Sequence, residues 1–199
     1  MWGAMPATRA EASQRVRDAI VAATVRIVAR EGVTAVTHRG VAAEAGVSLS
    51  STTWHYATKA DILEAALHWS ADQEVARIAA IADRLDTFDV TAWADELTAW
   101  LLEQLGPERE ATVALYRLQA ELLGSPGALA VHRQWGRGLR ALGDLVLGAA
   151  SEVDVRLIIA ALDGLRMSAL ASGDFEADRL RAAVRRQLDA LLSAASPPR

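Results

Sequence analysis

The sequence predicts an all-α fold, and three observations carry that prediction. Aromatic residues make up only 5% of the chain and runs of strand-forming residues are few, so little invites a sheet. Ala, Leu, Arg and Glu, which form helix most readily, are abundant. Apolar residues recur at spacings of three and four through most of the 199 residues. With 52% hydrophobic residues a sizeable core can be buried, and the length suits one or two domains.

The elements follow in order. Residues 1–10, with Gly3, Pro6 and no periodicity, read as a disordered arm. From about Glu11 to Arg30, Val16, Ile20, Ala23, Ile27 and Val28 mark a first helix, which Gly32 ends as a left-handed cap. Thr37 suits the N-cap of a short helix, HRGVAAEA, with Val41, Ala42 and Ala45 inward, and Gly46 breaks it. Ser48 caps the next helix. Thr58-Lys59-Ala60-Asp61 reads as a capping box that opens a long one, Lys59 to about Leu85, spanning roughly 40 Å at about 1.5 Å per residue.

Asp86-Thr87-Phe88-Asp89 is a break. A helix with Trp93, Leu97, Trp100 and Leu101 on one face then ends at Gly106-Pro107, and another runs to Leu123. Pro126 fits the first turn of its successor, where Gly136, Gly138 and Gly143 argue against a straight helix. Ser151-Glu152-Val153-Asp154 is a second capping box. It opens VRLIIAALDGLRMSALA, apolar nearly all round and therefore expected to be covered on more than one side. The last helix, about Glu176 to Ala194, keeps Leu180, Val184, Leu188 and Leu191 in one stripe with four arginines outside it, and SPPR is a disordered tail.

Composition narrows the function. The chain has no cysteine, which excludes disulfides and thiolate metal sites and fits a reducing cytoplasm. The N-terminus holds no apolar run suited to a secretory signal, and no stretch approaches the roughly 18 apolar residues of a membrane helix. The expectation is a soluble cytoplasmic protein. The net charge of −4 is uneven: through residue 60 seven basic residues face four acidic ones, giving +3 and leaving −7 for the remainder. A basic head on an acidic body suggests two tasks.

The stretch VSLSSTTWHYATKADIL departs from the surrounding composition. Two short helices joined by the tight Ala45-Gly46-Val47 turn form a helix-turn-helix arrangement, whose second helix lies in the major groove of DNA. Such a helix needs short hydroxyls and polar-tipped aromatics on its outer face, and Ser50, Ser51, Thr53, Trp54 and His55 supply them.

These residues carry a resemblance. REGVTAVTHRGVAAEAGVS followed by STTWHYATKADIL resembles the N-terminal domain of the TetR family of bacterial transcriptional regulators. Thr37, Val41-Ala42-Ala43, Ala45-Gly46-Val47-Ser48, His55-Tyr56, Lys59 and Ile62 occupy the matching places. The match runs from about Glu11 to Leu67, and DVRLIIAALDGLRMSALASG resembles the dimerisation helix of the same family. Ser50 stands where Gly is common, Thr52 replaces an apolar core residue, Thr53-Trp54 a Tyr pair and Ala57 a Pro.

The resemblance implies a disordered arm (1–10), a three-helix DNA-binding domain (11–58), a ligand-binding and dimerisation domain (59–195) and a short tail (196–199). Thr37, His38, Arg39 and Lys59 read as phosphate contacts and Ser48 as a further DNA contact, while Thr37, Ser48 and Thr58 read as caps, a role compatible with phosphate contact. Ser50, Ser51 and Thr53 read as base contacts. Trp54 fits a phosphate contact or core, His55 a phosphate contact or packing, and Tyr56 core. Arg9 is a candidate for the minor groove.

In the body, Trp69, Trp93, Leu97, Trp100, Tyr116, Trp135 and Met167 suit either an ordinary core or the wall of an apolar ligand cavity. Gln119, His132, Asp163 and Arg166 are its polar candidates, although Asp163 and Arg166, three apart, can simply pair. Resemblance further implies a homodimer through 152–172 and 176–194, a palindromic operator, double-stranded DNA and a small-molecule effector as partners, and no cofactor. A helical di-iron enzyme is excluded because Glu64 and His68 have the wrong spacing and no second copy. The remaining rival is an all-helical ligand-binding or scaffold protein that has lost operator binding.

Overall fold

A computed structural model describes residues 8–84, 89–147 and 152–195. Among them the regular structure is helical: α1 (Arg9–Glu31), a 3₁₀ turn (Val33–Ala35), α2 (His38–Ala45), α3 (Leu49–His55), α4 (Lys59–Arg84), α5 (Val90–Leu105), α6 (Arg109–Glu121), α7 (Pro126–Leu147), α8 (Glu152–Ser172) and α9 (Ala177–Ala195). No helix among the described residues is long and apolar enough to cross a membrane.

The expected helices form, with instructive differences at their ends. α1 starts at Arg9 rather than near Glu11, because Thr8 and Glu11 make a capping box in which each side chain takes the other's backbone N–H. Arg9 therefore belongs to a helix and not to a free arm, and residues 1–7 lie outside the described part. Gly32 has φ 87° and ψ 172°, a glycine conformation but not the left-handed helical one. Gly46, at φ 67° and ψ 29°, does adopt it. There Gly46 N–H donates to Ala43 O and Val47 N–H to Ala42 O, the paired bonds that close a helix end with a glycine in this state. α7 runs unbroken past Gly136, Gly138 and Gly143. The break at 86–89, Ser151 and the SPPR tail fall largely or wholly outside the described residues.

The chain divides into two compact units, 1–70 with 113–128, and 71–112 with 129–199. The division falls inside α4, after Ser70, and 113–128 belongs with the first unit. In that unit α1, α2 and α3 pack on one another. Its buried residues include Ile20, Val28, Val36, Val41, Ile62, Leu67 and Leu118. Arg117 on α6 donates to Val28 O at 2.7 Å and Ala29 O at 2.8 Å, satisfying carbonyls in the last turn of α1. A second tie joins α1 to α2: Glu44 pairs with Arg26 at 2.7 Å and Arg30 at 2.9 Å. Those hydrogen bonds, Arg30 first, hold its carboxyl well below the usual range, at about 2.

In the second unit α5 packs on α8 and α9, and α8 on α9. The core collects Ile81, Trp93, Leu97, Trp100, Leu101, Leu162, Ala169, Leu180, Val184 and Leu188. Three of the four residues in the expected α9 stripe are therefore buried, and the side chain of Leu191 lies outside the described part. α8 differs from expectation. Leu162, Arg166 and Ala169 are buried, whereas Leu157 is 50% exposed and Met167 46% exposed, so among the described side chains one side of this apolar helix is covered within one chain and another is open.

Candidate functional site

Local capping builds the surface of the first unit. Thr37 Oγ1 accepts from Gly40 N–H at 3.0 Å and starts α2. Ser48 Oγ accepts from Ser51 N–H at 3.0 Å and starts α3, and Thr58 and Asp61 exchange bonds of 2.8 and 3.1 Å before α4. The Ser48 hydroxyl also lies 2.9 Å from that of Ser50 and 2.8 Å from that of Ser51, so three hydroxyls cluster where α3 begins.

One turn along, the two sides of α3 separate cleanly. Thr52 is fully buried and its hydroxyl donates to Ser48 O, which is how a threonine fills an apolar core position. Leu49, Ser50, Thr53 and Trp54 are exposed, Trp54 at 77%. The Thr53 hydroxyl shares its proton between Leu49 O and Ser50 O, both at 3.1 Å, within an exposed residue. His55 meets the Trp54 ring edge-on at 4.5 Å between centroids and is half-buried. Burial first, then the charge of Arg17, lowers its pKa. Tyr56, expected in the core, is only half-buried; burial raises its pKa.

Three expected contacts have internal partners. His38 Nε2 lies 2.9 Å from Tyr56 O, and because a carbonyl only accepts, Nε2 carries the proton and ties the start of α2 to the end of α3. Lys59 Nζ donates to Thr34 O at 3.2 Å, which gives this cation in the first turn of α4 a role besides any phosphate. Thr37 has its capping bond. Arg39 is exposed and, among the described residues, pairs with no carboxylate. Arg17, which the sequence reading passed over, is equally exposed. It is held by Gln14 at 2.7 Å and lies close enough to His55 and Tyr56 to act on their titration. Its membership of a polar triplet with Gln14 and Asp18 is visible in the sequence; its proximity to α3 is not.

The ten residues expected around a ligand do not form one cluster within one unit. Trp69, Tyr116 and Gln119 belong to the first unit, the other seven to the second. His132 and Met167 are exposed within one chain, and on α7 it is Val131 that is buried. Trp93 and Leu97 are core. Trp135 is half-buried and its indole N–H donates to Ala71 O at 3.4 Å.

Arg166 is the centre of a buried network. It is 2% exposed, donates to Gln104 Oε1 at 2.6 Å, and pairs with Glu74 and Asp163. Gln104 in turn donates to Glu74 at 2.6 Å. The guanidinium carbon stands 5.6 Å from the Trp100 ring centroid. A buried guanidinium with two carboxylates, an amide and an aromatic face is well compensated. Beside Trp100, α4 and α5 form a cleft of about 170 Å³. No group of His, Cys, Asp and Glu suited to a metal ion occurs among the described residues.

Comparison with known proteins covers both units. Residues 20–66 match the family model described as "Bacterial regulatory proteins, tetR family", and 88–194 match "Tetracyclin repressor-like, C-terminal domain". No curated protein matches the chain. Among solved structures, the multidrug binding protein EbrR complexed with ethidium is 30% identical, with a TM-score of 0.68 over 86% of this chain and 97% of that one. EbrR has also been solved with proflavin and malachite green. A TetR-family member from Streptomyces coelicolor A3 gives the same identity, TM-score and coverage. A regulator from Mesorhizobium loti, at 15% identity and a TM-score of 0.77 over 94% of this chain and 98% of that one, shares the fold.

Proposed function

We propose that this chain, which belongs to the tetR family of bacterial regulatory proteins, is a cytoplasmic repressor that holds a palindromic operator as a homodimer and leaves it when a small hydrophobic ligand binds. That it is a DNA-binding transcriptional regulator with a ligand-binding domain follows from the family. The observation that carries the DNA reading is the outer side of α3, where Ser50, Thr53 and Trp54 are exposed while Thr52 is buried on the opposite side. This polar, hydroxyl-rich side suits the donors and acceptors of a major groove, and Arg17, Arg39, Lys59 and Trp54 flank it for phosphates.

EbrR, complexed with aromatic dyes, supports an aromatic, hydrophobic effector for this chain too. Binding would shift α4, whose N-terminal turn begins at Lys59, and with it the spacing of the two recognition helices. A coupling of about 1–3 kcal/mol gives a 5- to 150-fold loss of operator affinity, provided that the ligand binds the two states unequally. A mobility-shift titration with the DNA upstream of the protein's own gene tests the reading. Nanomolar, salt-sensitive binding as a dimer is expected; a chain that ignores this DNA and random duplex alike supports the rival, a ligand-binding protein without an operator.

A further inference from the structure

We propose that Leu49 reads the C5-methyl group of a thymine in the major groove, so that the choice of operator depends on a methyl contact. This deepens the operator reading and rests on it. Leu49, Ser50, Thr53 and Trp54 are the exposed residues of α3, and at about 100° per residue they fall within an arc of about 140°. Thr52, outside that arc, is buried. Leu49 is 42% exposed and Trp54 77% exposed, and they form the two edges of the arc. A single exposed leucine is ordinary on a protein surface. This one stands at the start of the helix expected in the groove, where such helices meet base edges.

The rest of α3 leaves little else to read a sequence with. Its seven residues, LSSTTWH, include no Arg, Lys, Asn, Gln, Asp or Glu. The side chains that take guanine or adenine by paired bonds, or accept from the cytosine amino group, are therefore absent from this helix. Its hydroxyls are largely engaged. That of Ser48, which caps α3, lies 2.9 Å from Ser50 Oγ and 2.8 Å from Ser51 Oγ. Thr53 gives its proton to Leu49 O and Ser50 O. His55 is half-buried against the Trp54 ring. What remains is acceptor oxygens and apolar surface, and thymine alone among the bases presents an apolar group, its methyl, in the major groove. Trp54 has an N–H to offer a phosphate. Leu49 has nothing that a phosphate could use, so it gains from DNA only by covering an apolar group.

The test uses the full chain to select duplexes from a random-sequence pool. Each thymine of the selected half-site is then replaced in turn by deoxyuridine, which removes only the methyl group, and binding is followed by fluorescence anisotropy. At one thymine per half-site the parent is expected to lose about fourfold in affinity, the worth of one buried methyl-sized group. Leu49→Ala, at an exposed position, should keep its thermal midpoint, bind the thymine duplex more weakly by a similar factor, and treat thymine and uracil there alike, as a coupled pair requires. Leu49→Met, which keeps an apolar side chain, should retain the preference, and Trp54→Ala should weaken both duplexes equally. A half-site without thymine, a parent indifferent to every uracil, or a Leu49→Ala chain that still tells thymine from uracil overturns the proposal and leaves the operator reading standing. A selection that enriches no sequence sinks the operator reading, and this one with it.

Discussion

Residues whose partners lie within three positions are legible in the sequence, and those with distant partners are not. Thr37, Ser48 and Thr58 cap as their spacing predicts, because a cap is a local bond. His38, Lys59 and Glu44 find partners 18, 25 and 14 or more residues away, and no local pattern announces them. Lys59 is the instructive case, since its bond to Thr34 O offers a structural explanation for a cation that the sequence assigns to phosphate. Salt decides between them. If Lys59 meets a phosphate, Lys59→Ala weakens all duplexes alike and lowers the slope of log affinity against log salt by about 1. A purely structural loss, worth about 0.5–1.5 kcal/mol for one hydrogen bond, leaves that slope unchanged and lowers the thermal midpoint instead. Thr53→Ala should do neither, and change which base pairs are preferred. Glu44 makes a pH prediction. Its carboxyl titrates near 2 in the folded chain instead of near 4.5. The stability this confers is therefore complete above about pH 4.5 and lost as pH falls from there through 2. Unfolding followed by circular dichroism should show that portion of the acid dependence missing from Glu44→Gln.

At the scale of the helix, periodicity is a reliable guide to existence and a poor one to ends and continuity. The Thr8–Glu11 capping box extends α1 back by two residues from where apolar spacing places its start, because a cap needs no apolar residue. α7 is the opposite case: three glycines argue against it on propensity, yet the helix is continuous from Pro126 to Leu147. Ser125 accepts from Ala128 N–H at 3.1 Å and caps its start, and Val131 is buried, so capping and packing outweigh a propensity cost of about 1 kcal/mol per glycine. Gly136 then carries an avoidable cost. It is exposed, and a Cβ added there meets nothing within 4 Å. Gly136→Ala should stabilise the chain by about 0.5–1 kcal/mol in urea unfolding, with the slope against denaturant unchanged. A destabilised variant would mean that the position serves something other than the helix.

At the scale of the whole molecule, α8 is the element whose pattern a single chain does not satisfy. Its sequence is apolar nearly all round, which predicts cover on more than one side. One side is filled by the core, but Leu157 and Met167 stay half-exposed, and Phe175 just beyond the helix is 37% exposed. The sequence therefore points to this surface, and the resemblance implies a second copy of the chain as its occupant. Gly164, exposed with open space around its Cα, would let another helix approach closely. Burying a Leu or Met side chain stabilises by roughly 1.5–3 kcal/mol, and a two-fold axis counts each position twice. Met167→Glu would bury a carboxylate in such a contact, so the dimer should weaken by orders of magnitude while the lone chain, exposed at this position, folds as before. Sedimentation equilibrium should report a mass near 43 kDa for the parent, twice the 21.3 kDa of one chain, and the single-chain mass for the variant. The variant should also bind a half-site as the parent's monomer would, and lose the extra affinity that a palindrome gives two linked heads. A parent that sediments as one chain refutes the dimer, and a variant that remains dimeric with full operator affinity places the symmetric contact elsewhere.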